Sequence, residues 1–293
     1  MTAELLGPLR HPAHRFTLGD AEVTTILDGT IPMGIRPPFL LDKDDEQIAA
    51  IATAANLPTD RLENNFIPTL VNTGSELVLF DTGCGHFRRN NGAGFLLERL
   101  ADAGYAPGDI DVVALTHVHP DHIGGILEDG EIAFPNAQLM IGRREFDEWN
   151  SGANIPPQRA ENREMFLKLI APLAERFVFL EDGDRVASGV TAEAAFGHSI
   201  GQMMFRIESS GKQVLVWGDI ANHFVFSVGN PDSPVGFDDD KDTAIATRRR
   251  VLDMCATDGL LIAGHHMPYP SVGYVERNGD AYRWTPAAYQ LRL

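Results

Sequence analysis

The chain has 293 residues, 44% hydrophobic and 22% charged, the balance of a globular protein long enough to bury a core without staples. Its 24 Lys+Arg against 41 Asp+Glu give a formal net charge of −17. That excess disfavours a phosphate-binding surface and adsorption to anionic lipid, so neither nucleic acid nor a membrane is expected as a partner. Two cysteines, Cys84 and Cys255, are too few for a disulfide framework or a Cys-rich zinc site. The segment Met1–Phe16 is interrupted by Glu4, Arg10, His11, His14 and prolines and has no secretory apolar region, and no run approaches the ~18 residues of a membrane span. A cytoplasmic protein is expected.

In chain order, residues 1–20 read as an N-terminal extension and Glu22–Asp28 as a strand. Phe66–Thr73 and Glu76–Asp81 read as a hairpin turning at Gly74-Ser75. Gly92–Gly104 has Ala93, Leu96, Leu97 and Leu100 at helical spacing. Asp111–Thr116 and Ala137–Ile141 are short buried strands, and Arg163–Leu173 is a helix with Phe166 and Leu169 on its apolar face. Val190–Phe196, Met203–Glu208 and Gln213–Trp217 are strands, Thr243–Ala256 is a helix, and Leu260–Ala263 and Tyr274–Glu276 are short strands. Strands and helices alternate in an early and a late half, which two facing sheets with helices outside would satisfy. The acidic stretches Leu41–Gln47 and Phe237–Asp242, and the run Arg248–Arg250, read as solvated surface.

The chemistry concentrates in Thr116-His117-Val118-His119-Pro120-Asp121-His122, directly after a buried strand. Residues i and i+2 of extended chain point to the same side, so His117 and His119 converge on one point. Pro120 then turns the chain, and Asp121 and His122 face a second point nearby. Three imidazoles and a carboxylate packed this closely need a cation to organise them. Imidazole and carboxylate together suit zinc, and also iron, manganese or cobalt.

This segment resembles the H-x-H-x-D-H signature of the metallo-β-lactamase superfamily, and the resemblance extends from about Gly19 to the C-terminus. It implies an α/β fold, an αββα sandwich of two mixed sheets flanked by helices, as one domain spanning 1–293. It also implies three further ligands at strand ends, for which His198, Asp219 and His266 stand in order. Carried over, His117, His119 and His198 would bind one divalent metal, Asp121, His122 and His266 a second, and Asp219 would bridge them. Spacing alone leaves His265 open as an alternative to His266; the family pattern of ligand, apolar residue and proline selects His266. Asp81, in Leu79-Phe80-Asp81-Thr82-Gly83, would orient the ligands from behind. Cys84 reads as a small buried residue. A cysteine stands at the bridging position in the true β-lactamases, and Asp219 occupies it here.

Within the superfamily, LVNTGSELVLFDTG, LTHVHPDHIGG, AFPNA and GHHMPYPSVG resemble the methyl parathion hydrolase group, which includes lactonases, arylesterases and organophosphorus hydrolases. The resemblance implies two metals activating a bridging hydroxide toward a small neutral ester, lactone or phosphotriester, with Asp121 handling the proton. Trp149, Phe166, Asn222 and His223 are candidates for the substrate pocket, with Phe39 and Phe95 as further aromatics. A homodimer is expected by analogy. An iron-dependent redox or sulfur-handling member of the fold, and a non-catalytic binding member, are the alternatives.

Overall fold

The computed structural model describes residues 7, 9–287 and 289–292. The first half contributes strands Ala13–Leu18 (β1), Ala21–Ile26 (β2), Gly29–Gly34 (β3), Arg61–Phe66 (β4), Thr69–Asn72 (β5), Leu77–Phe80 (β6) and Val112–Leu115 (β7). Leu127–Glu128 (β8) and Glu131–Ile132 (β9) form a small ladder before Gln138–Gly142 (β10) and Phe177–Leu180 (β11). The second half contributes Arg185–Ala187 (β12), Val190–Ala194 (β13), Met203–Ser209 (β14), Lys212–Val216 (β15), Leu261–Ala263 (β16), Val272–Asn278 (β17) and Ala281–Pro286 (β18). The helices are Asp45–Ala54 (α1), Leu96–Asp102 (α2), Pro120–Ile123 (α3), Arg143–Ser151 (α4), Ala160–Leu169 (α5) and Lys241–Asp258 (α6).

Two seven-stranded sheets result, ordered β1-β2-β5-β6-β7-β10-β11 and β12-β13-β14-β15-β16-β17-β18. Strand alternation decides what fills each layer. Val78 and Phe80 of β6 face Met203 and Phe205 of β14 between the sheets, with the Phe80 and Phe205 rings 4.9 Å apart. Leu79 points the other way, into a layer with Phe146, Trp149, Phe166 and Leu169 of α4 and α5. Met204 and Leu215 face Val251, Leu252 and Cys255 of α6. This is the expected αββα sandwich. Among the described residues, no helix is long and apolar enough to cross a membrane.

Several boundaries differ from those read in the sequence. Ala13–Leu18, assigned to the extension, is the edge strand β1, paired antiparallel with β2. The helix expected from Gly92 begins only at Leu96, because Gly92 and Gly94 sit at φ +100° and +94°. Buried Asp28 then accepts the Leu96 and Gly94 backbone N–H groups and fixes the turn. The helix expected over Arg163–Leu173 starts at Ala160 and ends at Leu169, before Pro172. The acidic stretch Leu41–Gln47 is not all loop: Asp44 caps α1, its carboxylate accepting from Gln47 N while Gln47 Oε1 accepts from Asp44 N.

Candidate metal centre

The cluster lies at one edge of the sandwich, where neighbouring strands end together. β6 and β7 run parallel, as do β15 and β16, so their carboxyl ends reach the same edge. Asp81 follows β6, His117 and His119 follow β7, Asp219 follows β15, and His265 and His266 follow β16. His198 follows β13, whose loop is held to the first sheet by the Met203 N–H donating to Thr116 O at 2.8 Å.

The structure brings the sequence-predicted ligands together, with nitrogen and oxygen atoms of His117, His119 and His198 and of His117, His122 and Asp219 within 4.8 Å of one another in each set. His119 Nδ1 and His198 Nε2 face each other at 2.9 Å. Asp219 Oδ2 lies 3.2 Å from His198 Nε2 and 3.0 Å from His266 Nε2, while Oδ1 lies 3.3 Å from His122 Nε2. Asp121 Oδ2 is 3.3 Å from His266 Nε2 and 3.6 Å from His122 Nε2. Asp219 thus stands between a three-histidine group and an Asp121–His122–His266 group.

Each of the five histidines turns its other ring nitrogen to an oxygen, which sets its tautomer. His117 Nδ1 meets Thr116 Oγ1 at 3.0 Å, His122 Nδ1 meets Asp81 Oδ2 at 2.8 Å, and His198 Nδ1 meets Asp238 Oδ1 at 3.0 Å. His119 Nε2 meets Asp239 Oδ2 at 3.3 Å, and His266 Nδ1 meets Asn65 O at 2.8 Å. Asp81 adopts φ +64°, a costly conformation for a residue with Cβ, and its other oxygen accepts the Thr116 N–H at 2.8 Å. The inward atoms remain: His117 Nε2, His122 Nε2 and Asp219 Oδ1 are buried without a hydrogen-bond partner among the described residues. Orphaned imidazole and carboxylate atoms around one centre are the donor set that divalent cations satisfy.

The electrostatics agree. Burial and the neighbouring His122 and His119 push His117 well below the usual imidazole value. Burial, with Arg159 adding to it, lowers His119 to about 4. At His266, burial opposes protonation but the Asp219 and Asp121 carboxylates win, raising it to about 10. Burial works the same way at His122, and Asp81, Asp219 and Asp121 carry it well above the imidazole range. The carboxylates that hold these protons supply the negative field that would hold cations instead.

His265 and His266 both bring a nitrogen within 4.8 Å of Asp121 and His122. His266 alone of the two lines the open cavity and reaches Asp219. His265 lies behind, its ring 4.1 Å from that of His122 and its Nε2 without a hydrogen-bond partner among the described residues.

A cavity of about 280 Å³ opens over the cluster, reaching His119, Asp121, His198, Asp219 and His266. Ile31, Met33, Phe66 and Phe237 supply its apolar wall, and Arg88, Arg159 and Asn162 its polar side. Cys84, buried as expected, lines its floor. Asn222 lines it too, its Nδ2 donating to Asp219 Oδ2 at 2.9 Å and its Oδ1 buried without a partner among the described residues.

Of the six expected pocket residues, five lie elsewhere and only Asn222 lines the cavity. Trp149 and Phe166 are fully buried in the layer outside the first sheet, Trp149 standing edge-on to His119 at 5.7 Å without reaching the cavity. His223 is stacked on Phe226 at 4.4 Å and accepts the Val225 and Phe226 N–H groups at Nδ1, so it faces a neighbouring cavity. Phe39 is buried beside His223. Phe95 does not line the cavity either; it precedes α2 with Arg99 over its ring. The aromatics that do line it, Phe66 and Phe237, sit in a strand and in a loop without helical spacing.

The stretch read as solvated acid is the larger correction. Asp238 and Asp239 are buried, and each pairs one histidine with one arginine. Arg248 Nη2 donates to Asp238 Oδ2 at 2.6 Å, and Arg159 Nε donates to Asp239 Oδ1 at 2.6 Å. Arg248, expected on the surface, is 1% exposed. Burial opposes ionisation of Asp239, and His119 and Arg159 overcome it, holding its carboxyl below the usual range.

Residues 68–265 match the metallo-beta-lactamase superfamily, and the chain belongs to that superfamily. Metallo-beta-lactamase domain-containing protein 1 of Rattus norvegicus and of Mus musculus are each 28% identical to it over 195 residues, 66% of this chain. The chain spans 62% and 60% of the length of these two curated relatives. A solved structure of AidC, a dizinc quorum-quenching lactonase in complex with a product, is 25% identical with a TM-score of 0.88, covering 94% of this chain and 98% of that one. AbOPH, a hydrolase of the beta lactamase superfamily, is 26% identical with a TM-score of 0.86, covering 95% and 98%.

Proposed function

We propose that the protein is a dinuclear metal-dependent hydrolase of a small neutral ester, lactone or phosphotriester, of the group that resembles methyl parathion hydrolase. The observation that carries this reading is the position of Asp219, one carboxylate within 3.0–3.3 Å of His198, His122 and His266. His117, His119 and His198 would hold one ion, Asp121, His122 and His266 the second, and Asp219 would be shared. A lactonase described as dizinc with this fold favours zinc; the same donors accept iron, manganese or cobalt. When bound, the pair supplies Lewis acidity and lowers the pKa of water enough to give a nucleophile near neutral pH.

The chain's own residues then divide the remaining work. Asp121 keeps 22% of its side chain exposed on the cavity, more than Asp219 at 4%, so it is the carboxylate able to exchange a proton with a leaving group. Asp81, Asp238 and Asp239 hold His122, His198 and His119 in the tautomers that present a bare nitrogen inward. Asn222 is fixed to Asp219 by its Nδ2 donation and steadies that carboxylate at the cavity. Ile31, Met33, Phe66 and Phe237 receive hydrocarbon.

Charge selects the substrate class. Two dications would be set against Asp121, Asp219 and Asp81, while Asp238 and Asp239 are matched by Arg248 and Arg159 and Arg88 adds a cation to the cavity wall, so the repulsion of anions rests on the net charge of −17 of the whole protein. A neutral ester meets little long-range repulsion, whereas an anion meets it at low salt. The reading further includes a cytoplasmic location and a homodimer. The test has two arms: elemental analysis of protein purified without added metal, and kcat/KM for a neutral aryl ester or lactone against an anionic phosphodiester with the same leaving group, corrected for uncatalysed rates. About two transition-metal ions per chain and faster corrected turnover of the neutral substrate are expected. A stoichiometry of zero after supply of zinc, manganese or cobalt ends the hydrolase reading, and preference for the diester at low salt ends the neutral-substrate reading.

A further inference from the structure

The first turn of α4 carries a buried carboxylate with no place in the cavity. Glu145 is 0% exposed, and three donors converge on it from two distant segments. Its Oε1 accepts the Val118 N–H at 2.9 Å and the Ser199 hydroxyl at 2.6 Å, and its Oε2 accepts the Gly201 N–H at 2.8 Å. Val118 lies between His117 and His119, and Ser199 follows His198. Trp149, one turn further along α4, donates its indole N–H to Ser199 Oγ at 2.9 Å.

The packing leaves this contact no slack. A Cβ on Gly201 would lie 2.2 Å from Glu145 N, so the loop after His198 rests directly on the helix backbone. The two loops thus joined bring His119 Nδ1 and His198 Nε2 to 2.9 Å. Burial pushes the Glu145 carboxyl up to about 7, against the three donors.

We propose that Glu145 is a positioning residue for the three-histidine cluster: by accepting from both ligand-bearing loops at once it holds His117, His119 and His198 in one register and sets the affinity of that cluster for its ion. This rests on the reading of that cluster as a metal site. Glu145 touches neither the cavity nor a ligand side chain, and its influence passes through the backbone of Val118 and Gly201 and the hydroxyl of Ser199.

The test uses the full chain stripped with a chelator and titrated with zinc and with cobalt, reading each equivalent by competition with a chromophoric chelator and the cobalt site by its visible absorption. Glu145→Gln preserves volume, yet the partners on both oxygens donate, so the amide NH2 must face an N–H in either orientation. The expected result is loss of affinity at one of the two equivalents, about 10–100-fold, with a changed cobalt absorption and the other equivalent unmoved. Ser199→Ala removes one of the three bonds and should weaken the same equivalent by less; it decides the matter if Glu145→Gln does not fold. Wild-type affinities and spectrum in both variants overturn the inference. Equal weakening of both equivalents, tracking a lower thermal midpoint of the metal-free protein, also overturns it, since Glu145 would then serve the fold alone. Wild-type protein that binds no ion overturns the hydrolase reading and this inference with it.

Discussion

Replacing Asp238 with asparagine removes one charge from a buried arrangement in which the carboxylate serves two partners. Its Oδ1 meets His198 Nδ1 at 3.0 Å and its Oδ2 accepts from Arg248 Nη2 at 2.6 Å. Asparagine has one acceptor oxygen. If that oxygen keeps Arg248, the amide NH2 faces His198 Nδ1 and drives the imidazole proton to Nε2, the atom beside His119 and Asp219. If the oxygen keeps His198, the NH2 opposes the guanidinium. Either way Arg248 loses its counter-charge, though it still donates to Ile220 O and Pro231 O at 3.1 Å and Ser233 O at 3.3 Å. Breaking a buried ion pair costs ~3–5 kcal/mol, and the retained carbonyls place this case at the lower end, about 3 kcal/mol. That is about a hundredfold in the folding equilibrium, a large share of the ~5–15 kcal/mol of a typical domain. Urea unfolding of metal-free wild type and variant measures it, and chelator competition should show metal affinity lowered about 10–100-fold as well. A variant whose unfolding free energy stays within a few tenths of a kcal/mol and whose metal affinity is unchanged would refute the assignment of Asp238 as the link between His198 and Arg248.

Asp121→Asn should keep the fold and cut turnover of the neutral substrate about 10²–10⁴-fold, the usual worth of a placed proton carrier; normal turnover with metals retained would remove Asp121 from that role. Burial raises Cys84 far above the ordinary thiol range and pushes Cys255 up to about 12. A disulfide reagent at pH 8 should therefore titrate no thiol in the native protein and two in urea, and fast reaction of the native form would contradict that burial. Phe205→Ala, inside the sandwich and away from the cavity, should lower stability by ~3–5 kcal/mol. Its kcat should stay near that of wild type, so a selective loss of kcat without loss of stability would show that the inter-sheet core reaches the site.

The amino-acid sequence by itself determined the centre's local half. His117, His119, Asp121 and His122 are legible because strand geometry puts alternate residues on one side and Pro120 turns the chain after two of them. The two-sheet order was legible in the alternation of strand and helix blocks, whereas Val78, Leu79 and Phe80, and Met203, Met204 and Phe205, are apolar on both faces, so packing alone decided which side meets the other sheet. Asp81 apart, which the family resemblance already set behind the ligands, only the tertiary structure decided which polar residues support them. Asp238 is 40 residues from His198, Asp239 is 120 from His119, and Glu145 is 27 from Val118. In the sequence Phe237–Asp242 is indistinguishable from a solvated acidic loop, because burial and pairing are properties of what folds over a residue. Trp149 and Phe166 failed as pocket residues for a related reason. An apolar helix face records that a side chain is covered, but whether the cover is a sheet or an open cavity depends on where the helix docks.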